Sequence, residues 1–97
     1  MNIGEIRQTL ENHSVYIKKT FSVREFSVFG SYAKGAQTSE SDVDILVAFE
    51  SGHKDFFNYM RLKHYLEEII GKRVDLVIKE AVKSRLRDKI FSEVVYV

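Results

Sequence analysis

One stretch limits the fold more than any other: Asp42-Val43-Asp44-Ile45-Leu46-Val47-Ala48-Phe49. Its β-branched and apolar residues predict a strand over Asp42–Phe49. The strand period of two puts Val43, Ile45, Val47 and Phe49 on one face, suited to a core, and Asp42 and Asp44 on the other. Asp is depleted in strands. Two ionised carboxylates about 7 Å apart along one strand face repel unless a cation lies between them, and hard oxygen ligands suit magnesium. The plainer reading is a solvated strand start, with Asp42 capping the preceding loop.

The rest of the chain is punctuated around that strand. Ile3, Ile6, Leu10, His13 and Ile17 step by three and four, predicting one amphipathic helix with Asn2 as N-cap and Glu5 closing a capping box. Glu25–Phe29 reads as a strand ending at Gly30, and Ser31 to Gly35 as a turn opening a short helix. A polar loop covers Ala36 to Ser41. Asp55 caps a helix over Phe56–Ile70, with Phe56, Tyr59, Leu62, Leu66 and Ile69 as its apolar set and Gly71 as its C-cap. Arg73–Ile78 is a third strand, Ala81 to about Phe91 a last helix, and Val94–Val97 a small terminal strand. The order α-β-α-β-α-β-α points to an α/β (α+β) fold, a small mixed sheet flanked by helices.

The 97 residues contain no proline, repeat or linker, so one domain spans 1–97. Fifteen Lys and Arg against 14 Asp and Glu leave a net charge of +1, which advertises neither a nucleic-acid nor a membrane partner. The absence of cysteine rules out disulfides, a thiol nucleophile and a thiolate metal site. No apolar run approaches the roughly 18 residues of a membrane span, and the first residues lack a signal-peptide pattern, so a cytoplasmic protein is expected.

Two further elements carry chemistry. In Arg73-Val74-Asp75-Leu76-Val77-Ile78, the apolar face of Val74, Leu76 and Ile78 leaves Asp75 projecting from the other side. Alone it reads as an edge carboxylate paired with Arg73 or a lysine. Beside Asp42–Phe49 it would bring three carboxylates together, a basis for two-metal phosphoryl or nucleotidyl transfer. Gly30-Ser31-Tyr32-Ala33-Lys34-Gly35 follows a strand. Glycine there lets backbone N–H groups approach a phosphate, Ser31 offers a hydroxyl and Lys34 a cation. The order of a P-loop is absent.

Together, Gly30-Ser31-Tyr32-Ala33-Lys34-Gly35, a loop, and Ser41-Asp42-Val43-Asp44-Ile45-Leu46-Val47 resemble the signature of the DNA polymerase beta-like nucleotidyltransferase superfamily. Asp75 matches the third carboxylate of that family. Lys34 stands where arginine is commoner, which keeps the charge and loses a bidentate grip. The size resembles the minimal nucleotidyltransferases, often encoded beside a HEPN-type toxin that they oppose as antitoxin. The resemblance implies transfer of AMP from ATP to a tyrosine hydroxyl of that toxin. It implies two Mg2+ ions held by Asp42, Asp44 and Asp75, with Asp75 helping to take the hydroxyl proton. Gly30, Ser31, Lys34 and Ser41 would then hold the nucleotide phosphates.

Other residues divide between roles. His13 suits a half-buried structural position, His53 a loop and His64 a solvent-facing one. Tyr32 could stack on a base or cover the sheet. Lys79, Lys83, Arg85, Arg87 and Lys89 suit a solvated helix face, or more sharply a docking face for protein or RNA. Two alternatives stand beside the adenylylating antitoxin. One is an antitoxin that neutralises by binding alone. The other is the catalytic subunit of a small-molecule, aminoglycoside-type nucleotidyltransferase.

Overall fold

A computed structural model describes residues 1–82, 90 and 93–97. The chain opens with helices α1 (Ile3–Asn12) and α2 (Ser14–Thr20), then strand β1 (Val23–Phe29), helix α3 (Gly30–Lys34) and strand β2 (Val43–Phe49). Helix α4 (Phe56–Ile70), strand β3 (Val74–Ile78), a 3-10 turn (Lys79–Ala81) and strand β4 (Val95–Tyr96) follow. The expected last helix, with Leu86 and most of its basic run, lies largely outside the described residues.

The four strands form one mixed sheet in the order β3-β2-β1-β4, with β1 antiparallel to β2 and β4, and β2 parallel to β3. Alternation sorts their residues as the sequence predicts. Val43, Ile45, Val47 and Phe49 of β2, with Val74 and Leu76 of β3, join Ile6, Leu10, Ile17, Leu62 and Leu66 of the helices in one buried cluster. In β1, Val23 and Phe26 both enter this cluster although three positions apart. The register shift between Val23 and Glu25 absorbs the odd residue and restores the phase.

The expected first helix is two helices. At His13 the backbone leaves helical geometry (φ −108°, ψ 5°), and its N–H donates to Leu10 O at 3.2 Å. The His13 side chain takes over the Thr9 carbonyl, Nδ1 donating at 2.8 Å. Helical turn and break both keep Ile6, Leu10 and Ile17 buried, so the spacing of apolar residues does not distinguish them. His13 is half-buried, its ring edge-on to Tyr65 with centroids 6.1 Å apart, as a structural histidine should be.

Helix α4 has the predicted bounds. Asp55 accepts from Asn58 N–H at 2.9 Å, and Gly71 closes the far end at φ +77°. Its buried stripe is Leu62, Leu66 and Ile70, with Tyr59 and Ile69 partly buried against it. Phe56 departs from expectation and is 69% exposed. It occupies the first helical turn after the exposed loop of residues 50–55. Accordingly, Leu62→Ala should cost about 2–5 kcal/mol. Phe56→Ala should stay within about 0.5 kcal/mol of wild type in urea unfolding.

Candidate active site

Sheet register gathers the carboxylates. In the parallel pair, Asp44 of β2 lies opposite Asp75 of β3 on strands about 4.8 Å apart. Their neighbours Val43, Ile45, Val74 and Leu76 are buried on the helix side, so both carboxylates project from the other face. On β2's other flank, Phe29 of β1 pairs with Asp44. The chain then turns into α3 at Gly30, directly against the same side chain. Gly30 has φ +73°, and a Cβ there would collide with Asp44 Oδ2. Glycine is therefore required for backbone conformation and for space.

Burial drives the Asp44 pKa up to about 6 from an ordinary value of 3.8. The charge and hydrogen bond of Asp75, and then the charge of Asp42, push the same way. Asp42 immediately precedes β2, and its Oδ1 lies 3.3 Å from Arg73 Nε. Arg73 thus serves Asp42, not Asp75. The same two chain segments are tied by the Val43 N–H, which donates to Arg73 O at 2.9 Å.

Asp44 and Asp75 form a hard oxygen pair whose repulsion a divalent cation would relieve, and this donor set fits magnesium. Among the described residues, no group of three His, Cys, Asp or Glu side chains is arranged to hold an ion. Asp42, the third ligand of the expected set, engages Arg73 through one carboxylate oxygen.

The residues expected to hold phosphate are partly committed to other partners. Ser31 is half-buried in the first turn of α3. Lys34 Nζ lies 3.0 Å from Glu93 Oε2, so an incoming phosphate would displace a carboxylate. Ser41 Oγ accepts from Thr38 N–H at 2.9 Å while Ser41 N–H donates to Thr38 O at 3.1 Å. Ser41 therefore shapes the loop that delivers Asp42. Tyr32 is 1% exposed within the core cluster and covers the sheet, which removes it as a base-stacking surface. His53 and His64 are exposed and apart from these groups. Sequence reasoning missed Glu93 as a partner of Lys34. The two are distant in sequence, and no local pattern links them.

Gly30 and Asp44 each lead to a measurable outcome. Gly35 shares the left-handed conformation (φ +71°), but a Cβ there would meet nothing within 4 Å. Gly30→Ala should therefore lower the melting temperature more than Gly35→Ala, and only Gly30→Ala should displace Asp44. Thermal unfolding and nucleotide titration of both variants check this. Because folding raises the Asp44 pKa, the native state binds more protons than the unfolded chain between about pH 4 and 6. Stability from this group falls as pH rises through that window. In metal-free buffer Asp44→Asn should melt above wild type beyond about pH 6, the difference closing toward pH 4.

Residues 10–97 match the model of the nucleotidyltransferase domain family. Protein adenylyltransferase MntA of Thermococcus cleftensis is 42% identical over 97 residues, covering 100% of this chain and 97% of the relative. A solved structure provisionally described as a minimal nucleotidyltransferase is 33% identical with TM-score 0.84, covering 100% of this chain and 97% of that one. A chain from the complex of tri-AMPylated Shewanella oneidensis HEPN toxin with MNT antitoxin shares the fold at TM-score 0.65. That match is 21% identical and covers 92% of this chain and 69% of the other. With Asp44 and Asp75 aligned across a parallel strand pair beneath a glycine turn, the chain belongs to the nucleotidyltransferase domain family and is a nucleotidyltransferase.

Proposed function

We propose that this chain transfers AMP from ATP to a tyrosine hydroxyl of a HEPN-type toxin and thereby acts as its antitoxin. The observation that carries the reading is the alignment of Asp44 with Asp75 beside Gly30. The relative named protein adenylyltransferase and the fold shared with a chain of the toxin complex support the acceptor class. The proposed reaction is a cytoplasmic one.

Gly30 lets the start of α3 pack directly on Asp44, so the triphosphate would lie beside that carboxylate. Ser31 donates its hydroxyl there, and Lys34 exchanges Glu93 for the β- and γ-phosphates. Ser41 keeps the loop closed so that Asp42 stays beside Asp44. Two magnesium ions held by Asp42, Asp44 and Asp75 would neutralise the phosphates and acidify the attacking hydroxyl. Asp75, exposed at the sheet edge, accepts the hydroxyl proton. The tyrosine oxygen bonds to the α-phosphorus, the bond to the β-phosphate oxygen breaks, and pyrophosphate leaves. Asp44 must be ionised to hold a cation, so activity should rise through the region of its raised pKa.

Intact-mass measurement tests this. Incubation with ATP, magnesium and the toxin should add one or more AMP groups to the toxin. Asp44→Asn and Asp75→Asn should slow this on the order of a thousandfold, since lost charge stabilisation at such a site costs several kcal/mol. Magnesium-ATP should also raise the melting temperature of wild type but not of Asp42→Asn/Asp44→Asn. Full neutralisation by Asp44→Asn without a mass change would assign the antitoxin effect to binding alone.

A further inference from the structure

Strand β3 lies at the edge of the sheet, beside β2 in the order β3-β2-β1-β4. The Val43 N–H of β2 donates to Arg73 O. Backbone groups alternate sides along a strand, so those of Asp75 turn toward β2 and those of Val74 and Leu76 turn outward. Side chains of α4 meet two of these outward groups. The Val74 N–H donates to Glu67 Oε2 at 3.0 Å, and the Tyr59 hydroxyl donates to Leu76 O at 2.7 Å. Val74 and Leu76 are the residues directly before and after Asp75.

Both clamps are anchored. Tyr59 and Glu67 are two i+4 steps apart on α4, on one row of the helix surface. Tyr59 is half-buried against the core cluster. Glu67 is half-buried at the helix end, where its carbonyl accepts from the Gly71 N–H at 2.8 Å.

The place of these bonds matters because of the force on β3. Asp44 and Asp75 face each other across the β2–β3 pair, and their repulsion pushes the edge strand outward. Burial of Val74 and Leu76 sets which face of β3 meets the helices, but burial is non-directional. Hydrogen bonds have narrow distance and angle ranges and fix the backbone more closely. Closing an edge strand against pairing with other chains is a general use of such bonds. Here they also bracket a carboxylate whose placement a transfer reaction must hold closely.

We infer that Tyr59 and Glu67 are positioning residues for the transfer, holding Asp75 beside Asp44 through the backbone of Val74 and Leu76. This role rests on the proposed reaction, in which Asp75 serves the attacking hydroxyl. Asp42 and Asp44 lie on β2 or directly before it, so nucleotide binding through them does not depend on these two bonds.

AMP transfer to the HEPN-type toxin, followed by intact mass below the melting transition, tests this together with hydrogen exchange of the β3 amides in metal-free protein. Tyr59→Phe and Glu67→Ala should each lower kcat about tenfold, with KM for magnesium-ATP unchanged. Both should speed exchange at the Asp75 amide. Glu67→Gln keeps an acceptor oxygen and should restore the wild-type rate and exchange. In an Asp75→Asn background neither substitution should slow transfer further. Wild-type kcat and exchange in both Tyr59→Phe and Glu67→Ala overturns the positioning role and leaves the proposed reaction standing. Raised KM with unchanged kcat, or further slowing in the Asp75→Asn background, overturns it equally, because the side chains then act elsewhere than through Asp75. Wild type that leaves the toxin unmodified overturns the proposed reaction and the positioning role together.

Discussion

The parallel pairing of β2 with β3 is the constraint from which the site follows. Val43, Ile45 and Val47 on one strand and Val74 and Leu76 on the next must all face the helices to be buried. At about 25 cal/mol per Å2 of apolar surface, this burial fixes the register more firmly than any polar contact on the opposite face. Once the register is fixed, Asp44 and Asp75 have nowhere to go but beside each other. The hydrophobic side of the sheet sets the chemistry of its polar side.

That arrangement stores electrostatic repulsion, and two features around it offset the excess charge. Arg73 neutralises Asp42 at the mouth of the parallel pair. Asp44 favours its protonated form because it is partly desolvated and faces Asp75. Gly30 presses backbone against the Asp44 carboxylate where any other residue would add a side chain. A bound cation would relieve this repulsion, which is the property the proposed metal-assisted transfer uses. Lys34, the cation expected to meet phosphate, is neutralised in its turn by Glu93.

The face of each strand residue was legible because period two needs no tertiary information. Asp42, Asp44 and Asp75 could be assigned to the polar side from spacing alone. Their meeting was not legible, because strand neighbours are set by topology. His13 shows a second limit: a stripe stepping by three and four survives a one-residue break, so one helix and two look alike. Tyr32 shows a third. On a helix of five residues, periodicity carries no vote on burial, and the sheet beneath decides. Glu93 joins Lys34 only through the return of the chain to β1 as β4, and no local pattern encodes that return.

A short chain must also divide its surface. The helix side commits its apolar residues to one core, yet Val15 and Phe57 remain outside it. Neither belongs to the buried stripe of its helix, so fold stability does not account for their presence. The catalytic face, in contrast, presents carboxylates, glycine and short polar side chains, a composition poor in anchors for a large partner. The protein acceptor proposed above must therefore be held by groups beyond this face while its hydroxyl reaches Asp44 and Asp75.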